Sequence, residues 1–179
     1  EMYQLGAEVT LISGPTALKS NISIKRIDVV SAQQMLDACL TYFSESDITV
    51  MSAAVADYTP VDVAQQKIKK KEDHFNIELK KTTDILATLG RQKAEKQLLV
   101  GFALETTDEE NYAKEKLKKK NLDLIVLNSL NDKGAGFKTE TNKITIFNKE
   151  EAKTTFETKS KTEVAKDICT EILKTMNIS

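Results

Sequence analysis

Three apolar runs constrain this chain most: ITVMSAA (Ile48–Ala54), LLVGFAL (Leu98–Leu104) and LDLIVLN (Leu122–Asn128). None alternates apolar with polar residues as a half-solvated strand does. A strand that is apolar on both sides has to be covered on both sides, and that is the condition of a parallel sheet flanked by helices. The segments between the runs fit this. SAQQMLDACLTYF reads as a helix with Ser31 as N-cap and with Met35, Leu36, Cys39, Leu40 and Phe43 on one face. TTDILATLGRQKAEK (Thr82–Lys96) reads as a second helix, opened by threonine and aspartate. TDEENYAKEKLKKKN (Thr107–Asn121) reads as a third, with acids in its first turn, lysines in its last, and Thr107 with Glu110 as a capping box.

Two further strands are expected earlier, at EVTLIS (Glu8–Ser13) and SIKRIDV (Ser23–Val29). Later, NKITIFNK and KTTFETK alternate as a hairpin does, and SKTEVAKDICTEILKTM (Ser160–Met176) closes the chain as a helix. The expected class is α/β: a Rossmann-like, doubly wound, mostly parallel sheet with helices on both faces and an antiparallel hairpin near the C-terminus. Residues 1–179 are expected to form one domain, with no repeat or Pro/Gly-rich linker dividing them. The opening EMYQLG reads as the last turn of a helix stopped at Gly6, so an N-terminal piece is expected to precede it.

Charge excludes some functions. With 26 cations against 27 anions, the chain lacks the basic excess of a nucleic-acid-coating protein, and any basic function must be local. No apolar run approaches the length of a membrane span. Cys39 and Cys169 fall on apolar helix faces and suit reduced, buried roles, which points to the cytoplasm. The single histidine, His74, sits among charges, so a Ser/His or Cys/His nucleophile is not expected, and no Cys/His spacing suits zinc. Neither a dinucleotide glycine turn nor a Walker loop occurs.

Ligands of open α/β sheets bind at the carboxyl ends of the strands. There this chain carries small residues, Asp57 after SAAVA, Phe102 and Glu105 in GFALE, and Asn128 in LNS. Such a mixture suits a base and a ribose. Cations for phosphates are available from the KIKKK cluster opening at Lys67, and from Lys116 and Lys120, which share one helix face. Backbone N–H groups at the helix start near Thr83 and Asp84 are a further anion-binding element. Each also has an ordinary reading: lysines at a helix end are favoured by its dipole, a lysine run in a loop is commonly just solvated, and an aromatic on a buried strand is more often core than ligand stack.

SGP, AAVADY, KIKK, TDIL, GFALET, KxxxKNLDLIVLN and GF…NKITIF stand in an order and spacing that closely resemble the phosphopantothenate–cysteine ligase family over essentially the whole chain. AAVADY followed by KIKK, ten residues after its Asp, is the specific element. In many bacteria this ligase is the carboxyl-terminal half of a bifunctional flavoprotein of coenzyme A biosynthesis. The resemblance implies a reaction in which the carboxylate of 4′-phosphopantothenate attacks the α-phosphate of CTP, releasing pyrophosphate. Cysteine then displaces CMP from the acyl-cytidylate to form 4′-phosphopantothenoylcysteine. It implies Mg2+ on the nucleotide phosphates, with no metal ligands singled out, and a homodimer. Lys67 matches the catalytic lysine that meets the CTP phosphates from a flap. Asp57, Thr83, Asp84, Ile85, Leu86, Phe102, Lys116 and Lys120 match further nucleotide contacts. Where the family usually has proline, this chain has Thr83. The family's glycine-rich N-terminal segment, with its asparagine and arginine, has no counterpart here. Two other readings stay open, a nicotinamide-dependent Rossmann oxidoreductase and a non-catalytic nucleotide-binding module. The first would need a glycine turn and a Tyr/Lys pair; turnover separates the second.

Overall fold

A computed structural model of the chain describes residues 1–19, 23–64, 66–68, 75–105, 107–129 and 140–178. A 3-10 turn, Met2–Leu5, ends at Gly6, whose φ of 92° is the left-handed stop expected of a glycine. Then follow β1 (Thr10–Ser13), β2 (Lys25–Asp28), α1 (Ala32–Phe43), β3 (Ile48–Met51), β4 (Tyr58–Pro60), β5 (Leu79–Lys81) and α2 (Ile85–Gln92). The second half comprises β6 (Leu98–Glu105), α3 (Glu109–Lys119), β7 (Leu124–Ser129), β8 (Thr141–Asn142), β9 (Ile144–Asn148), β10 (Lys153–Thr155), β11 (Lys159–Ser160) and α4 (Lys161–Thr175).

The three apolar runs become β3, β6 and β7, parallel neighbours in a five-stranded sheet of order β10-β9-β7-β6-β3, but β3 is its edge strand, is not buried as its apolar run suggested, and leaves Val50 42% exposed. β9 and β10 form the expected antiparallel hairpin and extend the sheet from β7. β1 and β2 pair in parallel as a separate two-stranded sheet, not hydrogen-bonded to β3 among the described residues. Their Ile12 and Ile27 nevertheless pack on the same core as α1.

Alternation along β6 and β7 sends side chains to two apolar layers. Leu99, Ala103, Ile125 and Leu127 face α1, α2 and α3. Leu98, Val100, Leu124 and Val126 face α4, where Val164, Ile168 and Ile172 cover them. Helices thus lie on both faces of the sheet, as a doubly wound fold requires. Among the described residues, no helix is long and apolar enough to cross a membrane.

Caps follow the sequence in part. Ser31 accepts from the Gln34 N–H, as expected of an N-cap. The box expected at Thr107 and Glu110 does not form. Asp108 is the N-cap of α3, with φ 46°, and its side chain accepts from Asn111 Nδ2 instead of from a helix N–H. In that left-handed conformation the chain turns sharply from β6 into the helix, which moves the start one residue past Thr107. The capping box occurs on α4, between Ser160 and Glu163. α2 is also shorter than its apolar pattern suggested, ending at Gln92 before Lys93.

Two contacts fix the helices to the strand ends. Asp123 Oδ2 accepts from the Leu99 N–H at 2.8 Å and lies 2.6 Å from Lys93 Nζ, with the lysine side chain 5% exposed. This joins the exit of α2 to the entries of β6 and β7. At the other contact, α2 and α3 touch through backbone. A Cβ at Gly90 would lie 1.9 Å from the Lys120 carbonyl oxygen, and Asn121 Nδ2 donates to the Gly90 carbonyl at 2.8 Å. Gly90→Ala is therefore expected to cost roughly 2–3 kcal/mol by overpacking, which is about 4–12 °C in Tm for a domain of this size. Thermal unfolding by circular dichroism measures it; a variant melting with the wild type would show that the two helices part easily.

Candidate functional site

The site is organised by a two-stranded ribbon that sequence reasoning did not foresee. β4 pairs antiparallel with β5, Tyr58 opposite Lys81 and Pro60 opposite Leu79. At its base, the Thr82 N–H donates to the Asp57 carbonyl at 2.9 Å, and Thr82 Oγ1 donates to the Ala56 carbonyl at 2.7 Å. These bonds draw AAVADY beside TTDIL, so Asp57 comes next to the segment carrying Thr83, Asp84, Ile85 and Leu86. Both Asp57 and Thr83 are exposed there. Lys67 is exposed on the segment between β4 and β5. The remaining lysines of the KIKKK cluster, Lys69 to Lys71, and His74 lie outside the described residues.

Asp84 caps α2. Its Oδ1 accepts from the Ala87 N–H at 2.9 Å, and its Oδ2 lies 3.0 Å from Lys120 Nζ. Partial burial works to raise the carboxyl pKa, but the Ala87 N–H, the Lys120 ammonium and the Arg91 charge together hold it below the usual carboxylate value. Two residues expected at the site on independent grounds, 36 positions apart, are thus an ion pair.

Ile85 and Leu86 take different places. Ile85 is 5% exposed and belongs to the core under α1, so its side chain is not available to a ligand. Leu86 packs over Gly101, where a Cβ would come within 2.9 Å of Leu86 Cδ2. Phe102 lies on the opposite face of β6, half-buried among the α4 layer. The structure therefore does not bring the Phe102 side chain to the side of the sheet that holds Ile85 and Leu86. Lys116 is half-buried on α3, one turn before Lys120.

Asn128 is a further polar residue at a strand end. It sits near the carboxyl end of β7, opposite Leu104 of β6 and Ile144 of β9. Its Oδ1 is buried and accepts no hydrogen bond, alone among the buried side-chain atoms of the described residues. A buried amide oxygen without a donor costs free energy, and a ligand donor would satisfy it. Its place at a strand end was legible in the sequence; its lack of a partner was not. Among the described residues, no group of three or more His, Cys, Asp or Glu side chains could hold a metal ion. Two surface depressions of about 270 and 280 Å³ lie along β9 and β10 and include none of the expected site residues.

Residues 1–176 match the family model described as the DNA/pantothenate metabolism flavoprotein C-terminal domain. A cysteine/cysteine sulfinic acid decarboxylase from an unknown prokaryotic organism is 53% identical over 170 residues, covering 94% of this chain and 47% of that protein. The coenzyme A biosynthesis bifunctional protein CoaBC of Bacillus subtilis (strain 168) is 48% identical over 170 residues, covering 94% of this chain and 42% of that protein. The chain thus spans less than half the length of these relatives. The crystal structure of the C-terminal domain of a CoaBC protein superposes with a TM-score of 0.81 and 39% identity, over 98% of this chain and 78% of that one. From its sequence, its fold and the match along nearly all of its length, this chain belongs to the DNA/pantothenate metabolism flavoprotein C-terminal domain family.

Proposed function

We propose that this chain is a phosphopantothenate–cysteine ligase domain, joining 4′-phosphopantothenate to L-cysteine with CTP in coenzyme A biosynthesis. The observation that carries the reading is the base of the β4–β5 ribbon, where Thr82 binds the carbonyls of Ala56 and Asp57. It assembles, from segments 26 residues apart, the two stretches that resemble the ligase nucleotide site. Lys120 reaches the same place from α3. The relative named for coenzyme A biosynthesis supports the pathway, and the unpartnered Asn128 Oδ1 supports a ligand at the strand ends.

In this reading the carboxylate oxygen of phosphopantothenate attacks the α-phosphorus of CTP, and the bond to pyrophosphate breaks. The cysteine amine then attacks the acyl carbon, loses its proton to solvent, and CMP leaves. The reactants are polyanions, so the protein has chiefly to offset their repulsion and align them. Lys67, Lys116 and Lys120 supply positive charge, and the first-turn N–H groups of α2 supply further donors. Asp57 and Thr83 are assigned to the nucleoside, and Phe102, packed in the α4 layer, is not. Mg2+ belongs to this reading as a counterion carried by the triphosphate. The described residues offer no acidic cluster for it, so no step is assigned to it. Such a reaction belongs to the cytoplasm.

The ribbon also suggests a partner. Val63, Ile68, Phe75, Ile77 and Leu79 are each more than half exposed along it and its connecting segment. A lone two-stranded ribbon is marginal in water, and large apolar side chains exposed along it are what a partner would cover. A second copy of this chain is the occupant assigned, giving a homodimer. Light scattering after size-exclusion chromatography should give twice the chain mass for the wild type and one chain mass for the pair Phe75→Ser and Ile77→Ser. A monomeric wild type would remove the dimer from the proposal.

Activity is tested by pyrophosphate release with CTP or ATP, phosphopantothenate and cysteine. CTP should be used in preference to ATP, and Lys67→Gln should lower turnover on the order of a hundredfold. Because Lys67 is exposed, Tm should stay within about 1–2 °C of wild type. Unchanged turnover in that variant would take Lys67 out of the reaction, and preference for ATP would overturn the choice of nucleotide.

A further inference from the structure

We infer that Asp84 is a positioning residue for Lys120: its carboxylate holds the lysine ammonium at the amino end of α2, ready for a nucleotide phosphate. This rests on the nucleotide reading above and deepens it, because it takes Asp84 off the ligand and places it behind the lysine that meets the ligand.

The two oxygens of Asp84 divide the work. Oδ1 accepts from the Ala87 N–H and fixes the carboxylate at the helix start; Oδ2 faces Lys120 Nζ at 3.0 Å. Lys120 is fixed at its other end as well. Its carbonyl lies against Gly90 so closely that no side chain fits between, and the neighbouring Asn121 amide donates to the Gly90 carbonyl. Gly90 and Asp84 are six residues apart on α2, about 9 Å along its axis. Lys120 therefore starts near one end of the helix and ends near the other, with most of its reach used. Its side chain is 19% exposed, against 52% for Asp84.

A lysine on a surface normally samples many rotamers and loses that freedom when it meets a phosphate. Lys120 has lost it already, so less is lost on binding. The same carboxylate leaves the free backbone N–H groups at the start of α2 beside the ammonium. A phosphate arriving there meets both. Asp84 stays ionised well below neutral pH, since the Ala87 N–H, Lys120 and Arg91 outweigh the effect of burial, so the pair is intact under physiological conditions.

A double-mutant cycle tests this on the full chain, with CTP affinity measured by calorimetry in magnesium buffer and Tm measured alongside. Asparagine caps a helix as well as aspartate does, so Asp84→Asn should melt within about 2 °C of wild type while losing the ion pair. Lys120→Gln should weaken CTP binding on the order of tenfold. Asp84→Asn should weaken it by about three- to tenfold, and the double variant no further than Lys120→Gln alone. Lys120→Arg, which keeps the charge opposite Asp84, should retain most of the affinity.

Other outcomes overturn the inference in distinguishable ways. Unchanged or tighter CTP binding by Asp84→Asn would make Asp84 a competitor for the lysine. Additive losses in the double variant would make it a direct nucleotide contact. A silent Lys120→Gln, with wild-type CTP binding intact, would leave Asp84 nothing to act through while sparing the nucleotide reading. Wild-type protein that binds no CTP would sink both.

Discussion

Burial of both faces of β6 and β7 is the constraint on which the remaining elements depend. Val100, Ile125 and Val126 have no exposure at all. A strand in that position needs ladder partners on both edges, because water cannot reach its backbone. β3 and β9 are those partners. Its side chains need cover above and below, and each large aliphatic group so covered stabilises the fold by about 1.5–3 kcal/mol. Three helices on one face and one on the other supply the cover. The Asp123 carboxylate then sets the level at which the strands start, through the Leu99 N–H and Lys93. Once one end is fixed, the carboxyl ends where a ligand can bind are fixed too.

Local charge at the site has to be built against a chain whose formal net charge is only −1. The described structure does it by topology. Lys67 is exposed on the segment between β4 and β5, and Lys120, at the end of α3, meets Asp84 at the amino end of α2. None of these depends on a basic composition. Asp84 pairs with Lys120, which avoids leaving a half-buried ammonium without a counterion.

The core of the fold was legible in the sequence for a simple reason: continuous apolar runs and 3.6-residue periodicity report burial directly. β6, β7, α1 and α4 all follow from them, and Ser31 marks its helix start correctly, whereas β3 is a strand as expected but not a buried one. The Thr107–Glu110 box failed because a capping signature carries no information on whether the preceding turn is left-handed, as it is at Asp108. The ribbon was missed because its apolar residues, Ile77 and Leu79 among them, face solvent and show no core pattern. It is also closed by pairing between residues some twenty positions apart. Candidate site residues could be named by type and by resemblance, but not their relations. That Asp84 meets Lys120, that Phe102 turns to the α4 layer and that the Asn128 oxygen has no donor are all consequences of packing.

The two margins of the five-stranded sheet differ in character. On one side β10 shows only Lys153, Thr154 and Thr155, all exposed, and Lys153 is engaged by Glu110 of α3. A short outer strand carrying a lysine is a poor template for a neighbouring molecule's backbone, because docking would desolvate that charge. Encounters between molecules at high concentration should therefore not propagate into stacked sheets from this side. β7 is in this way kept two strands inward from that margin and β6 three, where crowding from this side cannot recruit them.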